Sequence, residues 1–177
     1  MHFFFEKFIF ILITASIFSC QNKNNLKQIN KINLLEEKIE NTLELEAQKN
    51  KRLNHVLNLS KQTLYELEKQ RLDSMTIKLI YFEYREYLNS INKLLEIQAK
   101  SKEINKDIKI NKQQFIDLKS DYKNSNNRRK DLDIYLKSEE IITNYTINKM
   151  LKIHNLTDIF INRFDSLNQE IKTIIHD

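Results

Sequence analysis

Cys20 is the only thiol in the chain, and it closes an apolar run from Phe8 to Phe18. Thiolate chemistry is confined to this one position, and a single cysteine has no partner within the chain for a disulfide or a cysteine metal site. The other reactive side chains are scattered. His55, His154 and His176 stand far apart, with no helical His-x-x-x-His pair and no carboxylate at ligand spacing, so no metal site is expected. Glu36-Glu37 and Glu139-Glu140 are adjacent pairs whose side chains diverge on a helix, so neither builds an acid/base dyad. No catalytic residue and no cofactor is expected. Asn58-Leu59-Ser60, Asn144-Tyr145-Thr146 and Asn155-Leu156-Thr157 match the glycosylation triplet, which an Asn-rich chain produces by chance.

The residues around Cys20 form a pattern. A short head carrying Lys7 precedes the apolar run, which has the length of a secretory h-region and is too short to span a bilayer as a mature helix. The run ends Ile17-Phe18-Ser19-Cys20: an aliphatic at −3, a small residue at −1 and cysteine at +1. This resembles the lipobox of bacterial lipoproteins. The resemblance covers the N-terminal signal alone. It implies cleavage between Ser19 and Cys20, diacylation of the Cys20 sulfur and acylation of the new amino terminus. One acyl chain holds a protein only marginally, whereas two or three hold it stably. Residues 1–19 are then a signal peptide, 20–25 a lipidated cysteine with a polar tether, and 26–177 the body. No second apolar run approaches the ~20 residues of a membrane span. Gln21 is not the aspartate that retains some lipoproteins at the inner membrane, which points to an outer membrane and a place in the cell envelope.

The whole chain has 177 residues, a net charge of +5 and no glycine or proline. Average usage would supply about twelve glycines and nine prolines. Hairpins and β-sandwiches need such residues for their turns, and helices are interrupted by them. The body is therefore expected to be all-α, an elongated antiparallel bundle of about four to six helices. The same absence removes phosphate-cradling glycine loops, nucleophile elbows and dinucleotide fingerprints.

Apolar residues recur at helical spacing. The first stripe runs Leu26, Ile29, Ile32, Leu35, Ile39, Leu43 and Ala47, with Glu36, Glu37, Glu40, Glu44 and Glu46 making the helix acidic. Whether residues 26–72 form one helix or two turns on the polar patch Gln48-Lys49-Asn50-Lys51-Arg52. The stripe changes face near Asp73-Ser74, where Ser74 suits a cap. Residues 100–107 read as a loop or weak helix, Asn124-Ser125-Asn126-Asn127 as the clearest break, and His154-Asn155-Leu156-Thr157 as a further turn with Thr157 as cap. A parallel coiled-coil oligomer is the alternative. Against it, the heptad phase is not sustained past Asp73 and aromatics occupy core positions.

Two stretches invite a partner. Residues 100–130 hold ten basic and four acidic side chains, a net of +6. Lys109, Lys112, Arg128, Arg129 and Lys130 mark it as an anion-binding face for acidic lipid, polyanionic glycan or an acidic protein patch, or else a solvated basic face. Nucleic acid is not expected outside the cytoplasm. Tyr81, Phe82, Tyr84 and Tyr87 fall within seven residues and suit either an interface or the edge of a core. A lipidated, Lys/Asn/Ile-rich, glycine-free helical body broadly resembles the small helical surface lipoproteins of AT-rich bacteria, spirochaetes among them. That likeness implies a non-enzymatic binding protein, with the membrane as one partner through Cys20 and a protein or polyanion as another. A structural envelope lipoprotein, spacing or bracing the periplasm, is the second class.

Overall fold

The computed structural model describes residues 2–70, 74–124 and 129–176, with side chains from Asn25 onward except at 74–77, 79, 129 and 175–176. Three helices make up the order: α1 (His2–Lys69), α2 (Ser74–Asn124) and α3 (Arg129–His176). The described residues contain no strand, so the body is all-α as expected. Among the described residues the number of helices is three, not four to six. None of the described helices is long and apolar enough to cross a membrane.

The correction has a local cause. Three polar stretches lie inside helices: 48–52, which left one helix or two open; 100–107, which read as a loop or weak helix; and 154–157, which read as a turn. At 48–52, Asn50 bonds back to Glu46 at 2.5 Å and Lys49 reaches Asp158 at 2.5 Å, so the polar patch is a working helix face. At 100–107, Ser101 and Ile104 are buried while the charged residues between them face water. At 154–157, His154 and Thr157 are core residues, and the Thr157 hydroxyl donates to the Ile153 carbonyl one turn back at 2.8 Å instead of capping a new helix. With no glycine or proline to stop propagation, polar composition alone does not end a helix. Two breaks do fall where expected: α2 begins at Ser74, where the stripe changes face, and ends at Asn124, before the Ser-Asn-Asn run. Residues 26–69 belong to one helix, and α1 continues through Cys20 and the 21–25 stretch.

Each helix contributes to two compact units. Unit 1 comprises Met1–Ile39 and Lys109–Asn144, and unit 2 comprises Glu40–Ile108 and Tyr145–Asp177. In unit 1, Gln28 bonds Asp133 and Lys31 bonds Glu140, so α1 and α3 run in the same direction. Asn25 donates to the Tyr122 carbonyl while Glu36 accepts from Lys119, so α2 runs against them. Unit 2 repeats the arrangement. Glu46, Lys49 and Thr63 meet His154, Asp158 and Asn168 in ascending order, while Ser101 and Gln98 of α2 meet Glu46 and Asn54 in descending order. Within each unit the topology is therefore up-down-up, with sequential helices antiparallel.

The core follows a seven-residue period. Ile80, Tyr87, Leu94, Ser101, Ile108, Phe115 and Tyr122 are all buried along α2, and Leu136, Thr143, Met150, Thr157, Phe164 and Ile171 along α3. In α1 the row is Ile32, Ile39, Glu46, Leu53 and Ser60. A strict period of seven keeps one seam facing the neighbours, as in a coiled coil. The loss of heptad phase after Asp73 marks the start of a separate helix with its own phase. In α1 the seam passes through Thr42 and Glu46, not through Leu43 and Ala47, and Leu26 is exposed.

Candidate functional site

Ser19 and Cys20 lie on α1, and their side chains are outside the described residues. Of the five basic residues singled out, Lys109 and Lys130 are exposed and Lys112 is half-buried. Arg129 opens α3 with its side chain outside the described residues, and Arg128 lies outside them altogether. They do not stand alone. Lys119 is bonded to Glu36 of α1 at 2.5 Å, so part of the charge counted in the sequence is neutralised by another helix.

The same segment presents acid on its other flank. In unit 1, α2 and α3 enclose a groove of about 740 Å³. Its walls carry Asp117, Asp121, Asp131 and Glu139, with Leu118 and Leu132 on the floor and Tyr135 at the rim. Burial pushes the Glu139 carboxyl up from its ordinary value, and its Oε2 is buried without a hydrogen-bond partner. Among the described residues, no three His, Cys, Asp or Glu side chains converge closely enough to hold a metal ion. Sequence counting misses this groove because net charge over 31 residues averages two opposite helix flanks.

Unit 2 buries a polar layer in place of a surface site. Glu46 and His154 are 2% and 3% exposed, and Ser101 is buried beside them. His154 Nε2 lies 2.8 Å from Glu46 Oε2, while the Ser101 hydroxyl and the Asn50 amide both donate to Oε1. Burial raises the Glu46 carboxyl. The hydrogen bonds from His154, Ser101 and Asn50, together with the charge of His154, outweigh it and hold the group below the ordinary carboxylate value. Ser, His and Glu in contact suggest nucleophilic catalysis, but the wiring is wrong for it. Ser101 gives its proton to the carboxylate rather than to an imidazole that could act as base, and the cluster is closed to substrate. The chemistry available to it is structural: the carboxylate joins α1, α2 and α3 at one level.

His154 has its carboxylate after all, 108 residues away along the chain and one helix over. Nothing in local spacing reveals it. The available signal is the heptad: Glu46 sits seven residues from both Ile39 and Leu53. Another polar layer involves the aromatic cluster. Tyr87 is fully buried, stacks on Phe164 at 5.3 Å and donates to Asn168, which also accepts from Thr63, both at 2.9 Å. Burial pushes the Tyr87 phenol up to about 12, partly offset by the Thr63 hydroxyl. Tyr84 is half-buried, while Tyr81 and Phe82 are exposed, so the four aromatics divide between core and surface. His55 is exposed, and the His176 side chain is outside the described residues.

Compared with protein-family models, with curated proteins and with solved structures, the chain matches none.

Proposed function

We propose that the protein is a lipid-anchored, non-enzymatic binding protein of the cell envelope, held in a membrane through acylated Cys20. The observation that carries this reading is the order of residues 1–20: a short head carrying Lys7, an apolar run, then Ile17-Phe18-Ser19-Cys20. Supporting it, the described body is helical with large exposed side chains on every helix, among them Leu34, Tyr81, Phe82, Ile141, Tyr145 and Ile159. Such surfaces suit protein contacts. Outer-membrane placement rests on Gln21 and stays with the proposal.

Metabolic labelling with a palmitate analogue tests the anchor. Wild type should take up label and Cys20→Ser should not, remaining as uncleaved precursor. Equal labelling of the two removes the proposal. Protease treatment of intact cells then tells a surface binder, which is cleaved, from a periplasmic one.

The second reading is a spacer that braces the envelope. The unbroken heptad rows favour it, since such helices transmit length with few special contacts. Deleting one heptad from each helix should abolish the function of a spacer and leave that of a binder whose contacts lie outside the deleted turns.

A further inference from the structure

Contacts within unit 1 bring distant parts of the chain to the anchored end of α1. Asn25 stands five residues after Cys20, about 8 Å along a helix axis. Its amide donates to the Tyr122 carbonyl at 3.0 Å, and the Gln28 amide donates to Asp133 at 2.8 Å. The end of α2 and the start of α3 therefore lie beside the turn of α1 that follows Cys20. Three lysines of this end are exposed: Lys27 on α1, Lys123 on α2 and Lys130 on α3.

The flanks sort the charges. Lys123 stands four residues from Lys119, whose ammonium touches Glu36 of α1, so both occupy the α2 flank nearer α1. Lys130 stands three residues from Asp133, which touches Gln28 of α1, and shares that flank of α3. Asp117 and Asp121 occupy the other flank of α2, in the groove with Asp131 and Glu139 of α3. Lysines thus gather around the helix that carries the anchor, and the carboxylates of the groove turn elsewhere.

We propose that Lys27, Lys123 and Lys130 form a headgroup-binding collar that contacts the anionic phospholipids of the bilayer holding Cys20. The proposal rests on Cys20 acylation and narrows the partner of the basic segment to lipid. Placement decides this: an anchor at residue 20 holds these ammonium groups near a surface whose negative potential attracts them and falls off within a Debye length. A soluble glycan or an acidic protein has no such reason to meet this end of the bundle.

The test uses the purified, acylated protein reconstituted in vesicles of phosphatidylcholine alone or with phosphatidylglycerol. Flotation reports the anchor, and amine-reactive labelling read by mass spectrometry reports each lysine. The expected result is flotation with both vesicles, several-fold slower labelling of Lys27, Lys123 and Lys130 with the anionic ones, and recovery in 1 M salt, where the Debye length is about 3 Å. Lys109, exposed on α2 of the same unit and about 21 Å along the helix axis from Lys123, should label alike with both. Equal labelling of the three lysines with both vesicles, while the protein still floats, overturns the collar alone. Equal protection of Lys109 also overturns it, since total charge then explains the effect. A protein that does not float overturns the anchor, and the collar with it.

Discussion

Glu46 of unit 2 and Glu139 of unit 1 both lose water on folding, yet their carboxyls move in opposite directions. Around Glu46 three other side chains close in: an imidazole, a hydroxyl and an amide, all aimed at its two oxygens. Around Glu139 burial acts without compensation, and one oxygen finds no partner. A charge withdrawn from water is retained when the packing supplies donors and is driven toward its neutral form when it does not. Unit 2 has built donors around its carboxylate and placed it on the heptad seam. Unit 1 has left its carboxylate on the wall of an open groove.

Breaking the Glu46 layer should have the largest effect. Glu46→Ala strands His154, Ser101 and Asn50 without their common acceptor. The expected loss is about 3–5 kcal/mol of unfolding free energy, a drop in Tm on the order of 10 °C. Replacing Glu46, Ser101 and His154 together by Leu, Ala and Leu should cost far less, because only the half-buried Asn50 amide then loses its acceptor. If the single and triple variants melt alike, the layer is not a coupled network. The contribution of Glu46 also has a sign in pH. Its folded value lies below the unfolded one, so its stabilisation is present above about pH 4.5 and is lost as pH falls through the folded value. Glu46→Gln should therefore melt lower than wild type at pH 7, and the gap should close under strong acid.

Tyr87 gives a smaller effect of the other sign. Its phenol is pushed up to about 12, so folding favours the neutral form. That stability is complete below the ordinary tyrosine value near 10 and is lost as pH rises toward 12. Ultraviolet titration should show Tyr87 ionising after the exposed tyrosines, and Tyr87→Phe should remove one phenol from the late part of the curve at a cost of about 1 kcal/mol. Simultaneous ionisation of all tyrosines would refute the buried contact with Asn168.

Glu139→Gln should change least. Its raised value means that the ionised carboxylate opposes folding at neutral pH, so the variant should hold or slightly raise Tm at pH 7 and match wild type in acid. A lowered Tm at pH 7 would reveal a cationic partner for Glu139 and bring the two carboxylates into the same class.

The sequence by itself determined the helical class, because a chain with no glycine or proline has neither hairpin turns nor helix stops. It also determined the two ends that matter, at Ser74 and Asn124, where a change of apolar face or a run of Asn and Ser is a local signal. Local signals misled at 154–157 and left 48–52 and 100–107 open, since a polar residue on a helix face or inside a three-helix core looks like a polar residue in a loop. Glu46 reads as one more acid on an acidic helix, and His154 as a turn residue, until each finds the other across 108 positions. Only tertiary structure decided that pairing, the division of basic and acidic flanks on α2, and the return of Lys123 and Lys130 to the turn that follows Cys20. The physical reason is common to all three: hydrogen bonds and burial act at a few ångströms in space, and their partners come from helices whose sequence positions carry no mutual signal.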